Sequence, residues 1–320
     1  MTAANSHTGV DTSSSIAPLV TVVMPAYNAE KFILDAIRSI HTQGYPSVEI
    51  LVIDDGSKDS TFALVQREAP EVRIIQQSNA GAAAARNTGL RLARGKYICF
   101  LDADDGWYPG KLLAQVDYLQ KHPEAGMVYH EWFVWSPDET GSYCIPKRLE
   151  EPAFGQIEPA CTGWIYTRLL LDCIVHTSTV MMRLEVVRDI GFFDTTLVTG
   201  EDYDYWLRVS RKYQIHKLTG TYSFYRAALG SLTSKPPAEN NEYNVLYSAW
   251  RKWGLSSQDG KNLSEKLMNK RLGKLAFDFG YSKYYQGEIR QARDSFLKAL
   301  RHDPYRWRAL GYLLFASLRK

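Results

Sequence analysis

Over residues 18–121 short apolar runs alternate with segments of helical periodicity. Val20–Met24 is a near-continuous apolar run, broken by Pro25-Ala26-Tyr27-Asn28. Phe32, Ile33, Ala36, Ile37 and Ile40 then recur at helical spacing within Lys31–Thr42. Val48–Ile53 predicts a second buried strand, stopped by Asp54-Asp55-Gly56-Ser57, and Thr61–Glu68 a short helix capped by Asp59 or Ser60. Val72–Gln76 predicts a third strand and the alanine-rich Gly81–Ala93 a helix. Tyr97–Leu101 predicts a fourth strand, ending in Asp102-Ala103-Asp104-Asp105, and Pro109 suits the first turn of a helix over Gly110–Lys121.

Strands that are apolar throughout, alternating with helices, imply a mostly parallel central sheet covered on both faces: a Rossmann-like α/β fold. In such sheets a ligand binds beyond the carboxyl ends of the strands, where Tyr27-Asn28, Asp54-Asp55 and Asp102–Asp104 are collected.

After residue 125 the rhythm changes. Met127–Val134 reads as a strand, 136–165 as irregular, His176–Arg183 as a strand, and Leu184–Ile190 and Asp202–Lys212 as helices. The polar stretch 230–243 reads as a linker, and the remainder as a small α-helical C-terminal region. Within it Gly280, Gly287, Ala292, Phe296, Ala299 and Pro304 fall at the marker positions of a 34-residue tetratricopeptide repeat over 273–306. One such repeat cannot stand alone, so it is expected to dock on the preceding domain or pair with another chain. The expected division is a disordered tail over 1–17, halves of one α/β domain over 18–125 and 126–235, and the helical region over 236–320.

Charge adds an asymmetry. Residues 251–320 carry a net +10, leaving the first 250 residues at −7 against a total of +3. A basic block on an acidic body suits peripheral contact with an anionic lipid surface, while solvated helix faces account for the charge equally well. No nucleic-acid motif accompanies it, so nucleic acid is not an expected partner. The cysteines (Cys99, Cys144, Cys161, Cys173) form no C-x-x-C pair and fit a reducing compartment; the serine- and threonine-rich start has no signal-peptide core. No run approaches the ~20 apolar residues that cross a bilayer, which suggests a cytoplasmic protein, peripheral at most to the inner membrane face.

Asp102 and Asp104 bracket a small residue at a strand end, where residues two apart share a face. Paired carboxylates suit Mg²⁺ or Mn²⁺, which bind through one or two carboxylates plus substrate phosphates. An Asp-x-Asp alone is weak evidence, since acidic loops are common. Its context strengthens it: Val-Thr-Val-Val-Met-Pro-Ala-Tyr-Asn-Ala (20–29), Glu-Ile-Leu-Val-Ile-Asp-Asp-Gly-Ser-Lys-Asp (49–59), Asn-Ala-Gly-Ala-Ala-Ala-Ala-Arg-Asn-Thr-Gly (79–89), Gly-Lys-Tyr-Ile-Cys-Phe-Leu-Asp-Ala-Asp-Asp (95–105), Ile-Gly-Phe-Phe-Asp (190–194) and Gly-Glu-Asp-Tyr-Asp-Tyr-Trp-Leu-Arg (200–208). With these six ordered blocks the chain resembles, over about residues 18–225, family 2 of the inverting glycosyltransferases, which have the GT-A fold.

The resemblance implies roles. Pro25, Ala26 and Tyr27 would lie against the nucleotide, Asp55 would hold the base edge, and Arg86 would approach the base or phosphates. Asp102 would contact ribose or a metal-bound water, Asp104 would coordinate the metal, and Asp105 would support the loop. Asp202 would be the general base that takes the acceptor proton, with Glu201 the alternative and helix capping the competing role. Asp202 lies at an expected helix N-terminus, where the dipole favours its charged form. Trp206 is expected in the core, and His176 either in the core or against the acceptor or a phosphate.

A dinucleotide oxidoreductase needs a G-x-G-x-x-G turn after the first strand, and Pro25-Ala26-Tyr27-Asn28 cannot supply one. The glycine-rich loop of a nucleotidyltransferase is missing too. Processive synthases of the resembled family carry membrane helices and a Gln-x-x-Arg-Trp motif, and neither occurs here. The expectation is a metal-dependent enzyme that moves a single sugar from a nucleotide-diphosphate donor, a UDP-sugar first, to a glycan or lipid-linked acceptor in surface polysaccharide synthesis. The alternative is a non-catalytic carbohydrate- or partner-binding scaffold built on the helical repeat. Homo-oligomerisation is left open.

Overall fold

The structure is a computed structural model and describes residues 17–137, 143, 148, 154–227 and 237–318. Cys144, nearly all of the expected tail, the middle of the 136–165 segment and half of the polar linker lie outside the described residues.

An eight-stranded sheet in the order β3-β2-β1-β4-β7-β6-β8-β5 organises the chain. Its elements in sequence are β1 (Val20–Ala26), α1 (Ile33–His41), β2 (Val48–Asp54), α2 (Thr61–Glu68), β3 (Arg73–Gln76), α3 (Ala82–Leu92), β4 (Tyr97–Phe100), β5 (Gly106–Trp107), α4 (Lys111–Lys121) and β6 (Ala125–Trp135). There follow α5 (Tyr166–Leu169), β7 (Met181–Arg183), α6 (Leu184–Ile190), α7 (Glu201–Ser210), β8 (Gln214–Arg226), α8 (Asn241–Trp253), α9 (Glu265–Tyr285), α10 (Ile289–His302) and α11 (Trp307–Leu318).

The N-terminal half matches the expected rhythm. β1 pairs in parallel with β2 and with β4, and β2 with β3. The register sets Ala26 beside Asp54 and Val23 beside Phe100, so three strands present their carboxyl ends to one edge. The first two loops at that edge are tied together. The Asn28 amide donates to Ser57 Oγ (2.8 Å) and Lys58 N–H to Asn28 Oδ1 (2.8 Å). Asn28 takes φ +51° and is the one non-glycine with positive φ among the described residues. Asparagine is among the residues that tolerate that region, and here its side-chain oxygen is held by the Lys58 amide of the second loop.

The C-terminal half departs from the expectation in three places. His176–Arg183 is not one strand: residues 177–179 form a 3₁₀ turn and only Met181–Arg183 pairs, antiparallel to β4 and β6. Thr177, Ser178 and Thr179 are all buried, with their hydroxyls donating to Asp202, Asp105 and the His176 carbonyl, so the segment does not alternate. β5 is a two-residue strand too short to leave a period. β8 runs parallel to β6 over thirteen residues, with register shifts beside His130 and Glu131, and Gly220 at φ +95° interrupts its pattern.

The helical region docks in cis. One apolar cluster runs from Val23 and Phe100 through Trp206, Leu207 and Leu246 to Met268, Leu272 and Phe296. Within the α9–α10 hairpin, a Cβ at Gly280 would stand 3.0 Å from the Phe296 ring, so glycine lets the helices approach. No described helix is long and apolar enough to cross a membrane.

α3, which carries Arg86, lies against β1 through Gly89: a Cβ there would sit 2.3 Å from Val23 Cγ1. Overpacking of this kind costs about 1–3 kcal/mol, partly offset by the ~1 kcal/mol helix advantage of alanine over glycine. Gly89→Ala should therefore lower stability in urea unfolding, and adding Val23→Ala should recover part of the loss. Fully additive losses would refute the contact.

A second check concerns Lys111, fully buried, with its ammonium 3.9 Å from the Trp107 ring centroid and 2.8 Å from Gln115 Oε1. Burial pushes it down to about 8, although the Cys99 sulfur pulls the other way. Between pH 8 and the unfolded value of ~10.4 the unfolded chain holds more protons at this group, so stability rises with pH across that window. From pH 7.5 to 9.5, wild type should gain about 2 kcal/mol relative to Lys111→Met in denaturant titrations. A constant difference between the two proteins would contradict this.

Candidate active site

Tyr27 leaves the end of β1 with its ring 47% exposed, above the buried Ala26 and half-buried Pro25. Asp55 directly follows β2 and is buried; its carboxylate accepts from the Ala80 amide (3.0 Å), the Gly81 amide (2.8 Å) and Gln77 Nε2 (2.7 Å). It therefore shapes the entry to α3 from beside Tyr27.

β4 ends at Phe100, and Asp102–Asp105 form a turn closed by Asp105 N–H to Asp102 O (3.0 Å). The proximity of Asp102 and Asp104 thus comes from the turn and not from strand alternation. Burial and then repulsion from Asp102 push Asp104 up to about 6. Asp105 is buried and rises well above the carboxylate range, by burial first and then by its two acidic neighbours. Ser178 Oγ (2.5 Å) and the Arg226 amide (3.2 Å) donate to it, so it anchors the turn. Among the described residues no group of three or more His, Cys, Asp or Glu side chains is placed to hold a metal ion. A repelling carboxylate pair is nonetheless the donor set that suits a hard cation completing its shell with phosphate oxygens.

Arg86 joins the two halves. Its side chain is buried; Nη2 donates to Asp102 Oδ1 (2.8 Å) and Nη1 to Glu201 Oε1 (2.7 Å). Burial works against its charge, but Asp102, Glu201 and Asp202 outweigh burial and hold it above its ordinary value. Glu201 is raised by burial, and Arg86 opposes that rise. Asp202, at the start of α7, accepts from Thr177 Oγ1 (2.9 Å) and its other oxygen from Tyr203 N–H (2.7 Å). The αL conformation of Gly200 turns the chain into that helix.

The 3₁₀ turn at 177–179 ties these pieces to each other. Thr177 donates to Asp202, while Ser178 Oγ meets both Asp105 and the Asp102 amide (3.3 Å). Trp107 Nε1 (2.7 Å) and Gln115 Nε2 (2.8 Å) hold the carbonyls of Ser178 and Thr179. His176, just before it, stacks on Trp132 at 5.3 Å between centroids and meets Tyr225 edge-on. Burial lowers its pKa, against the pull of Asp102 and Asp202, so the ring is neutral. Its buried Nδ1 has no hydrogen-bond partner among the described residues. His176 is therefore packed in an aromatic stack and also borders the carboxylates. Trp206 is fully buried, tilted against Phe100.

Sequence reasoning missed Thr177, Ser178 and Arg226. Arg226 closes β8, its Nε donating to Asp104 O (2.9 Å) and its guanidinium lying 3.9 Å from the Trp135 ring centroid. The available signal was the Thr, Tyr and Phe content of 219–225, which favours a strand.

Known proteins share parts of this sequence and this architecture. Residues 21–145 match the family model "Glycosyl transferase family 2". An uncharacterized glycosyltransferase of Rickettsia bellii is 29% identical over 246 residues, 75% of this chain and 34% of that protein. The chain thus spans about a third of the length of that relative. An Escherichia coli protein named UDP-Glc:alpha-D-GlcNAc-diphosphoundecaprenol beta-1,3-glucosyltransferase WfgD is 29% identical over 236 residues, 72% of this chain and 84% of its own. The crystal structure of S. aureus TarS 1–349 in complex with UDP-GlcNAc superposes with a TM-score of 0.64 at 18% identity, over 89% of this chain and 81% of that one. Residues 21–145 thus match glycosyltransferase family 2, and the chain has the GT-A fold.

Breaking a buried ion pair by removing one partner costs about 3–5 kcal/mol. Arg86→Met, which strands Asp102 and Glu201, should be destabilised on that order in chemical denaturation. Adding Glu201→Gln should return part of it, with a coupling of about 0.5–3 kcal/mol. Zero coupling would separate Arg86 from Glu201 energetically.

Proposed function

We propose that the chain is a metal-assisted, inverting glycosyltransferase. It transfers one sugar per encounter from a nucleotide-diphosphate sugar, a UDP-sugar first, to a glycan or lipid-linked glycan acceptor. The observation that carries this is the linkage of two carboxylate sets, Asp102–Asp104 and Glu201–Asp202, by Arg86 and by the Thr177–Ser178 turn. WfgD, whose name specifies a UDP-glucose donor and a diphosphoundecaprenol-linked acceptor, supports the substrate class. The donor nucleotide lies against Pro25, Ala26 and Tyr27, with Asp55 ordering the adjoining loop. Asp104, with Asp102, would hold Mn²⁺ or Mg²⁺, which would supply positive charge opposite the departing diphosphate. Asp202 accepts the proton of the acceptor hydroxyl as that oxygen attacks the anomeric carbon and the bond to the diphosphate breaks. Thr177 fixes the orientation of Asp202 by its hydrogen bond, leaving the second oxygen on the helix amide. The neutral His176 and the Trp132 ring offer a flat wall beside Asp202 for an acceptor sugar. We place the protein in the cytoplasm, with its basic helical region toward the inner membrane face.

General base catalysis contributes about 10²–10⁴-fold. Asp202→Asn should lower kcat by that factor in a UDP-sugar panel with a lipid-diphosphate-linked saccharide acceptor, while donor KM changes little. Asp104→Ala should abolish the Mn²⁺-dependent part of donor hydrolysis. Full turnover by Asp202→Asn would sink the assignment of the base, and metal-independent turnover by wild type would sink the role of Asp104.

A further inference from the structure

Away from the carboxylate edge, α8 and α10 enclose a cleft of about 430 Å³ lined by Tyr243, Asn244, Tyr247, Lys298, Arg301 and His302. That volume falls within the ~300–1,000 Å³ typical of small-molecule sites. Tyr243 and Tyr247, one helical turn apart, stack nearly parallel, with centroids 5.8 Å apart and planes at 6°. Tyr243 is buried, whereas Tyr247 is 40% exposed and forms a flat apolar wall. Lys298 and Arg301 project from the same face of α10, three residues apart. Both are exposed, and neither forms an ion pair among the described residues. Two neighbouring cations without a carboxylate repel each other, a cost that an anion would reverse.

The wall is preorganised. His302 Nδ1 lies 2.8 Å from Asn269 Oδ1, and Nε2 lies 2.8 Å from the Tyr243 hydroxyl. With Asn269 Oδ1 accepting, Nδ1 carries the proton and Nε2 accepts from Tyr243. Burial lowers the His302 pKa, in keeping with that neutral tautomer. The positive charge of the cleft therefore comes from Lys298 and Arg301.

α8 also reaches the carboxylate edge. Asn241 Nδ2 donates to Thr199 Oγ1 (2.8 Å), and Gly200, which precedes Glu201 and Asp202, lies against Asn241 and Val245. The cleft and the start of α7 are thus fastened to the same helix within a few residues.

We propose that the α8–α10 cleft binds an anionic saccharide unit, its ring on Tyr247 and its carboxylate or phosphate on Lys298 and Arg301. Calling that unit a distal part of the acceptor rests on the transferase reading; the binding itself does not. A bare anion would leave the aromatic wall unused, and a neutral sugar would leave the two cations unpaired.

Saturation-transfer NMR on the full chain tests this with tetragalacturonate, maltotetraose and inorganic phosphate. Tetragalacturonate should bind with ring-proton transfer, and maltotetraose at least tenfold more weakly. Lys298→Glu/Arg301→Glu should weaken tetragalacturonate at least tenfold, and Tyr247→Ala should remove the ring-proton transfer. Donor hydrolysis and the circular-dichroism melt should stay at wild-type values in these surface variants. Equal binding of maltotetraose, tetragalacturonate binding that survives charge reversal, or phosphate competing fully with no effect of Tyr247→Ala would each overturn the proposal. Since no turnover is read, failure here leaves the transferase reading standing, and failure of Asp202→Asn to lose activity leaves this one standing.

Discussion

Arg86 is the constraint around which the rest of the site is arranged. A buried guanidinium is costly unless nearly every charge around it is compensating. Here Asp102 and Glu201 each accept one nitrogen, and Asp202 adds attraction from further away. The residue comes from α3, Asp102 from the turn after β4, and Glu201 from the start of α7. These segments are far apart in the chain, and one planar side chain with a rigid fork of donors can satisfy both carboxylates at once. Lysine, a point charge on a flexible stem, could not hold two separate acceptors in fixed positions.

That bridge explains how acidic residues can be crowded at one sheet edge. Burial first, and then repulsion among Asp102, Asp104 and Asp105, pushes Asp104 up to about 6 and Asp105 well above its ordinary value. The turn is kept in place by groups that stabilise it from outside: Arg86 on Asp102, Ser178 and the Arg226 amide on Asp105, and Arg226 Nε on the Asp104 carbonyl. The Asp104 carboxyl stays raised even though Arg226 and a backbone hydrogen bond pull it down.

Much of this was legible in the sequence, and the reason is physical. β1, β2 and β4 are buried on both faces, so each is an apolar run, and each run ends where a polar loop must begin. Periodicity and loop chemistry therefore located Tyr27, Asp55, Asp102 and Asp104 at one edge, and the helix start located Asp202. What was illegible is of another kind. Thr177 and Ser178 sit in a turn whose local pattern mimics a strand, and their importance lies only in partners 25 and 73 residues away. β8 lost its alternation to the bulge around Gly220, and Arg226 was lost with it. That Arg86 binds carboxylates was invisible because nothing in its own helix announces which charges the fold brings to it.

The C-terminal helices extend the same reasoning. Small residues at Gly280, Ala292 and Ala299 predicted a close helical pair, and Phe296 fills it. The pair does not stand apart, because Met268 and Leu272 of α9 continue the core that begins under β1 and β4. Asn240 fastens α8 to α9 through the Leu275 carbonyl, and Asn241 fastens it to Thr199. A shift of the helical pair would therefore be felt at Gly200, one residue before the carboxylates that Arg86 and Thr177 hold. The appendage is thus a structural extension of the carboxylate edge, and its own cleft is positioned by the same helix that supports the start of α7.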